Sequence, residues 1–171
     1  MQNVRTDRWI RLAIVMLMAA FVYTVYAAIH ETVIVAGDTS PAFQITTDSG
    51  QSVAMPNFRG KLLVLNFWAS WCGPCVQETP SLSQFAQQYA SRNVVVLGVS
   101  VDKDPKAYQA FLQKYRPAFL TVRESNLHAE FGTFMYPESY LIDANGKVLQ
   151  KFAEAVDWSD PKITQLVDSL L

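Results

Sequence analysis

The sequence predicts an α/β domain on a central mixed β-sheet with helices on both faces, preceded by one transmembrane helix. Three observations carry this. From residue 61 onward, short apolar strand segments alternate with helical stretches. Residues 61–67 (KLLVLNF) and 94–101 are almost unbroken apolar runs, as strands are when both faces are covered. Near the end, Asp143-Ala-Asn-Gly146 supplies turn chemistry between two further strand segments, adding an antiparallel hairpin.

The first element is the membrane segment. Residues 12–29 (LAIVMLMAAFVYTVYAAI) are eighteen residues without a charge. As a helix they would be roughly 27 Å long, close to the thickness of a hydrocarbon core. The helix is expected to reach toward Ala36, with His30 and Glu31 in the headgroup zone and Tyr23 and Tyr26 at the interface. Arg5, Arg8 and Arg11 precede the run, and no Lys or Arg follows until Arg59. The positive-inside rule then keeps residues 1–11 in the cytoplasm and exports the rest. A retained signal anchor over residues 12–31 and a signal peptide cleaved after Val25-Tyr26-Ala27 both fit. Both put residues 38–171 outside the cytoplasm, behind a tether at 32–37.

Within the exported part, residues 41–55 read as a β-hairpin, with Ile45 and Val53 on short alternating stretches and Asp48-Ser49-Gly50 as the turn. A strand over 61–67 leads into a helix from Gly73 to about residue 91, with Pro80 expected to kink it. A second buried strand covers 94–101, and a helix from Pro105 to Tyr115 begins with proline in its first turn. A short strand (118–122) and short helix (126–131) follow. The closing hairpin pairs 138–142 with 147–152. Ser159-Asp-Pro161 opens the last helix, with Ser159 as N-cap.

Composition limits function. Half the 171 residues are hydrophobic and 17% are charged, too apolar for a disordered chain. Fourteen basic against fifteen acidic side chains give no basic excess for nucleic acid. Two cysteines and two histidines are a poor set of metal ligands, so no metal is expected.

The chemistry concentrates in Phe67-Trp-Ala-Ser-Trp-Cys72-Gly-Pro-Cys75. A buried strand running into Cys-x-x-Cys at a helix start puts Cys72 where orphan N–H groups and the positive dipole end favour a thiolate. The thiolate is the reactive form. Cys75, one turn on and facing inward, is placed to resolve a mixed disulfide formed by Cys72. No other cofactor is expected. A zinc site would need two further ligands, with only His30 and His128 left. An inert disulfide closing so short a loop would stabilise little. A peroxiredoxin would carry Thr where Ala69 stands.

These residues resemble the active-site segment of the thioredoxin superfamily. With Val76-Gln-Glu78-Thr-Pro80 directly after them, they are similar to its membrane-anchored TlpA, ResA and DsbE (CcmG) branch. The resemblance covers about residues 38–170. It implies a thioredoxin-like fold with an inserted strand and helix between Cys75 and Pro137. It also implies an extracytoplasmic thiol–disulfide oxidoreductase, several such proteins reducing apocytochrome c before haem attachment.

Glu78 shares a helix face with Cys75, three residues on, where a carboxylate can pass protons as Cys75 changes state. In the superfamily an acidic residue on the incoming strand does this; the matching position here is Asn66, and the branch carries a Glu at the position of Glu78 instead. A solvated surface Glu is the alternative. Pro137 matches the superfamily's cis-proline, which leaves the neighbouring backbone free to pair with an extended client, and Tyr136 before it would shape that contact. Trp71 resembles the family tryptophan packed against the site. Trp68, Phe111, Tyr115 and Phe119 read as core, Trp158 as packing for the last helix, and His128 as structural or surface.

A reductant is expected rather than an oxidant. Gly73-Pro74 places no cation between the cysteines, and no Lys or Arg lies between Lys61 and Arg92. Glu78 disfavours a nearby thiolate. Such a reductant needs a membrane electron donor of the CcdA or DsbD kind. Its clients are protein disulfides: Cys-x-x-Cys-His of apocytochrome c, or else copper-site proteins and damaged cysteines. A non-enzymatic binding or chaperone module with a structural cysteine pair is the reading from another class.

Overall fold

The computed structural model describes residues 3–29, 33–124 and 126–171. These fall into an N-terminal helical unit and a compact unit over Val33–Leu171.

The first unit is helix α1, Asn3–Ile29. It starts well before the expected residue 12, running back through Arg11 and Arg8 to Asn3. Its apolar part, Arg8–Tyr26, has a mean hydropathy of 1.8 and none of it is buried against protein. The expected headgroup positions of His30 and Glu31 lie outside the described residues.

Residues 33–36 are not helical, contrary to the expected reach toward Ala36, and residues 33–37 are not a free tether. Ile34 is buried, its N–H donates to the Phe131 carbonyl at 3.1 Å, and Gly37 N–H donates to Val148 O at 2.8 Å. An apolar side chain with a long-range cover cannot be told from a linker residue by local pattern, hence the misreading.

Strands β1 (Gln44–Thr46) and β2 (Ser52–Ala54) form the expected antiparallel hairpin, Ile45 facing Val53. A 3-10 turn, Met55–Phe58, follows. The main sheet has five strands in the order β5-β4-β3-β6-β7. β3 (Leu62–Trp68) is central, parallel to β4 (Val94–Ser100) and antiparallel to β6 (Glu138–Ile142). β5 (Leu120–Arg123) pairs parallel to β4, and β7 (Val148–Phe152) pairs antiparallel to β6. All seven residues of β3 are buried, as its apolar run requires.

Side-chain alternation sorts the core into two faces. One face takes Leu62 and Val64 with Leu82, Phe85 and Tyr89 of α2 (Gly73–Tyr89) and Val167 of α5 (Pro161–Ser169). At its active end, Trp68 packs on Tyr108 and Phe111 of α3 (Pro105–Tyr115). The other face takes Leu63, Leu65 and Phe67 against the β1–β2 hairpin, Phe131 and Leu127 of the short α4 (Leu127–Glu130). Helices thus lie on both faces, three on one and one on the other. Asp160 rather than Ser159 caps α5, accepting from Lys162 N–H at 2.8 Å, while Ser159 bonds to Asp157.

Candidate functional site

The site is built where β3 runs out. Cys72 N–H donates to Ala69 O at 3.1 Å, closing a turn that reverses the chain into α2. That turn is pinned by a buried carboxylate from the end of β4. Asp102 accepts from Ser70 N–H at 2.9 Å, from Ser70 Oγ at 2.7 Å and from Ser100 Oγ at 2.6 Å. A buried carboxylate is tolerated when both oxygens are so occupied.

Cys72 is the N-cap of α2, with φ −85° and ψ 105°. Gly73 and Pro74 occupy the first turn, where a proline's missing N–H costs nothing. The N–H of Cys75 points at Cys72 Sγ, 3.2 Å away. A thiolate on Cys72 would therefore meet a backbone donor and the positive end of the helix. In this structure the two sulfurs form a disulfide, S–S 2.11 Å with Cα atoms 5.2 Å apart. Cys72 retains 6% exposure and Cys75 only 2%, so the outer sulfur is the one a visitor reaches.

Across from Cys72 stands the loop before β6. The Tyr136–Pro137 peptide bond is cis, and the Tyr136 carbonyl lies 3.4 Å from Cys72 Sγ. Trp71 is 68% exposed rather than packed down, touching the site only through the edge of the Tyr136 ring at 6.0 Å. Its position in the turn points it outward, where Phe134 and Met135 are also exposed. Exposed apolar side chains thus flank, in the chain, both segments that meet at the nearly covered disulfide: Trp71 before Cys72, and Phe134 and Met135 before Tyr136. The His128 ring lies 6.0 Å from that of Tyr136. A cleft of about 500 Å³ between Met55, Arg59 and Asn145 opens at the far end of β3 and touches neither cysteine.

Behind the cysteines, Glu78 is buried at 4% exposure, not solvated. It falls on the inward stripe of α2 with Cys75, Thr79, Leu82 and Phe85. Burial pushes its carboxyl up to about 7, opposed by the Trp158 indole and the Val156 backbone. Oε1 accepts from Trp158 Nε1 at 2.5 Å, and Oε2 is buried with no hydrogen-bond partner among the described residues. A cleft of about 380 Å³ between α2 and the loop before α5 reaches Glu78, lined also by Gln77, Ser81, Val156 and Asp157. Asn66 is buried and donates to Ser139 Oγ at 2.8 Å, so it is spent on joining β3 to β6.

Two partners escaped the sequence reading. Trp158 was placed only as packing, and nothing local marks an indole for a carboxylate eighty positions away. Glu138, directly after Pro137, is buried on the opposite sheet face with Lys151 at 2.7 Å, Thr133 at 2.9 Å and the Tyr140 hydroxyl. An ionisable residue in an otherwise apolar strand was the available signal.

Comparison with known proteins agrees with this geometry. The Redoxin family model matches residues 35–167. The thiol-disulfide oxidoreductase ResA of Geobacillus thermodenitrificans is 32% identical over 139 residues, covering 79% of this chain and 80% of that one. The thioredoxin-like protein YneN of Bacillus subtilis is 32% identical over 115 residues, 66% of this chain and 68% of its own. The crystal structure of a thiol:disulfide interchange protein DsbE from Chlorobium tepidum superposes with a TM-score of 0.73 at 28% identity, covering 81% of this chain and 99% of that one.

Proposed function

The chain belongs to the Redoxin family as a thiol–disulfide oxidoreductase with a thioredoxin-like fold, and we propose that it is a membrane-anchored, extracytoplasmic reductant of protein disulfides, apocytochrome c among its clients. The observation that carries this is the placing of Cys72. Its sulfur caps α2, meets the Cys75 N–H, and faces the Tyr136 carbonyl beside Pro137, with Cys75 hidden one turn behind.

In the reducing direction the Cys72 thiolate attacks one sulfur of a client disulfide, and the other client sulfur leaves as a thiolate and takes up a proton. The Cys75 thiol then gives its proton to Glu78 and attacks Cys72 Sγ, expelling the second client thiolate, which takes up a proton in turn. Client disulfide and enzyme dithiol become client dithiol and the Cys72–Cys75 disulfide, a two-electron exchange. A membrane dithiol donor of the CcdA or DsbD kind returns the two electrons. The carboxylate behind Cys75 and the lack of Lys or Arg between Lys61 and Arg92 support a reductant over an oxidant. Trp71, Phe134 and Met135 support a polypeptide client, which exposed apolar side chains fit better than a small thiol. Helix α1, with its apolar stretch after three arginines, supports the anchor.

The test is trapping in living cells. Cys75→Ser is expected to accumulate mixed disulfides through Cys72, with Cys-x-x-Cys-His proteins among those caught, and Cys72→Ser to accumulate none. Deletion is expected to remove holocytochrome c, and added thiol reductant to restore it. Trapping by Cys72→Ser alone overturns the order of attack. Unchanged holocytochrome c on deletion removes apocytochrome c as client.

A further inference from the structure

We propose that Trp158 is a positioning residue for the exchange: its indole N–H holds the Glu78 carboxylate on the buried stripe of α2 that also carries Cys75. This rests on the reading of Glu78 as the proton carrier for Cys75.

Trp158 is fixed from several sides. It is 1% exposed, its ring centroid lies 5.1 Å from that of Phe85 and 5.9 Å from that of Phe152. Its backbone N–H donates to Ser81 Oγ at 3.3 Å, and Ser81 Oγ donates to Glu78 O at 3.0 Å. The indole therefore cannot swing away without unlocking the loop from α2. An indole nitrogen is a donor only and never takes a proton at neutral pH. With Oε1 already receiving that donor, the proton Glu78 carries loads on Oε2, the oxygen without a partner.

Beside this bond, only the Val156 backbone favours the carboxylate, and by less. On α2 the neighbouring titratable group is Cys75. From the loop, Asp157 lines the same cleft, but its carboxylate is exposed and engaged by Ser159. The facing sheet offers the neutral Asn66 and Ser139, and Glu138 with Lys151 belongs to the opposite face. On α5, Asp168 is taken by Tyr89 and Arg92 at the other end of α2. The indole donor is thus the chief force favouring the ionised form against burial. Trp158→Phe keeps most of the ring and removes the donor, so Glu78 should hold its proton to higher pH.

The experiment uses the full chain in detergent micelles, reduced and mixed with a disulfide-bonded Cys-x-x-Cys-His peptide across pH 5.5–9, alongside a 13C titration of the Glu78 carboxyl. In the parent chain the rate should turn near pH 7, with the carboxyl titrating at the same midpoint. Trp158→Phe should move both midpoints up by about one pH unit. Glu78→Gln should abolish the turn, and adding Trp158→Phe to it should change the profile no further. If Glu78→Gln abolishes the turn and Trp158→Phe leaves both midpoints in place, Trp158 is packing only and the role of Glu78 stands. If Glu78→Gln leaves the profile unchanged, the proton-carrier reading falls and this inference with it. Should Trp158→Phe fail to fold, the parent chain still decides: the Trp158 indole 15N–H signal must titrate with the Glu78 midpoint, and a flat signal overturns the proposal.

Discussion

At Glu78 burial wins over hydrogen bonding, and the outcome has a sign that stability measurements can read. Burial pushes its folded-state carboxyl up to about 7, from 4.5 for a solvated glutamate. Between those values the folded chain binds the proton and the unfolded chain does not, so stability falls as pH rises. The full loss amounts to about 3 kcal/mol by pH 8. Urea unfolding at pH 4.5 and pH 8 should show that loss in the parent and little of it in Glu78→Gln; equal losses in both would mean another group is responsible. Part of this was readable beforehand. The three-residue spacing already put Glu78 on one helix face with Cys75, but a solvated Glu fitted that spacing as well; its burial is a finding of the structure. The donor could not be read either. Trp158 and Glu138 with its Lys151 are long-range partners, and periodicity reports which way a side chain faces but not whom it meets.

At the scale of elements, helix α3 was legible to the residue, because Pro105 marks its first turn; the Asp104 cap before it is a finding of the structure. Strand order was not legible, since it depends on pairings between distant segments. The β3–β4 pair shows the consequence. Gly98 lies opposite Asn66, and a Cβ there would come within 2.7 Å of the Phe119 ring and 3.0 Å of Trp68 Nε1. No side chain fits without moving the packing under the Cys72 turn. Gly98→Ala is expected to destabilise the fold by about 1–3 kcal/mol, seen as a lower urea midpoint. A midpoint within error of the parent would show that Phe119 yields freely.

For the whole molecule, the division into an apolar helix and an α/β domain was visible in composition alone, since the uncharged run is confined to one end. The boundary was not, because Ile34 is anchored by Phe131, nearly a hundred residues away. The proposed anchored topology makes its own prediction. After mild reduction of intact cells, a membrane-impermeant maleimide should label Cys72, and alkaline extraction should leave the full-length chain in the membrane pellet. A shortened soluble product would establish cleavage, and labelling only after lysis would reverse the orientation.

The cleft at Gln77, Ser81 and Val156 gives Glu78 an outlet that neither cysteine nor the 134–137 loop lines. If Glu78 carries the Cys75 proton as proposed, sulfur and proton would use separate doors. A client lying over Cys72 would then close the first and leave the second facing the buffer, and exchange within the covalent complex should still respond to ambient acidity.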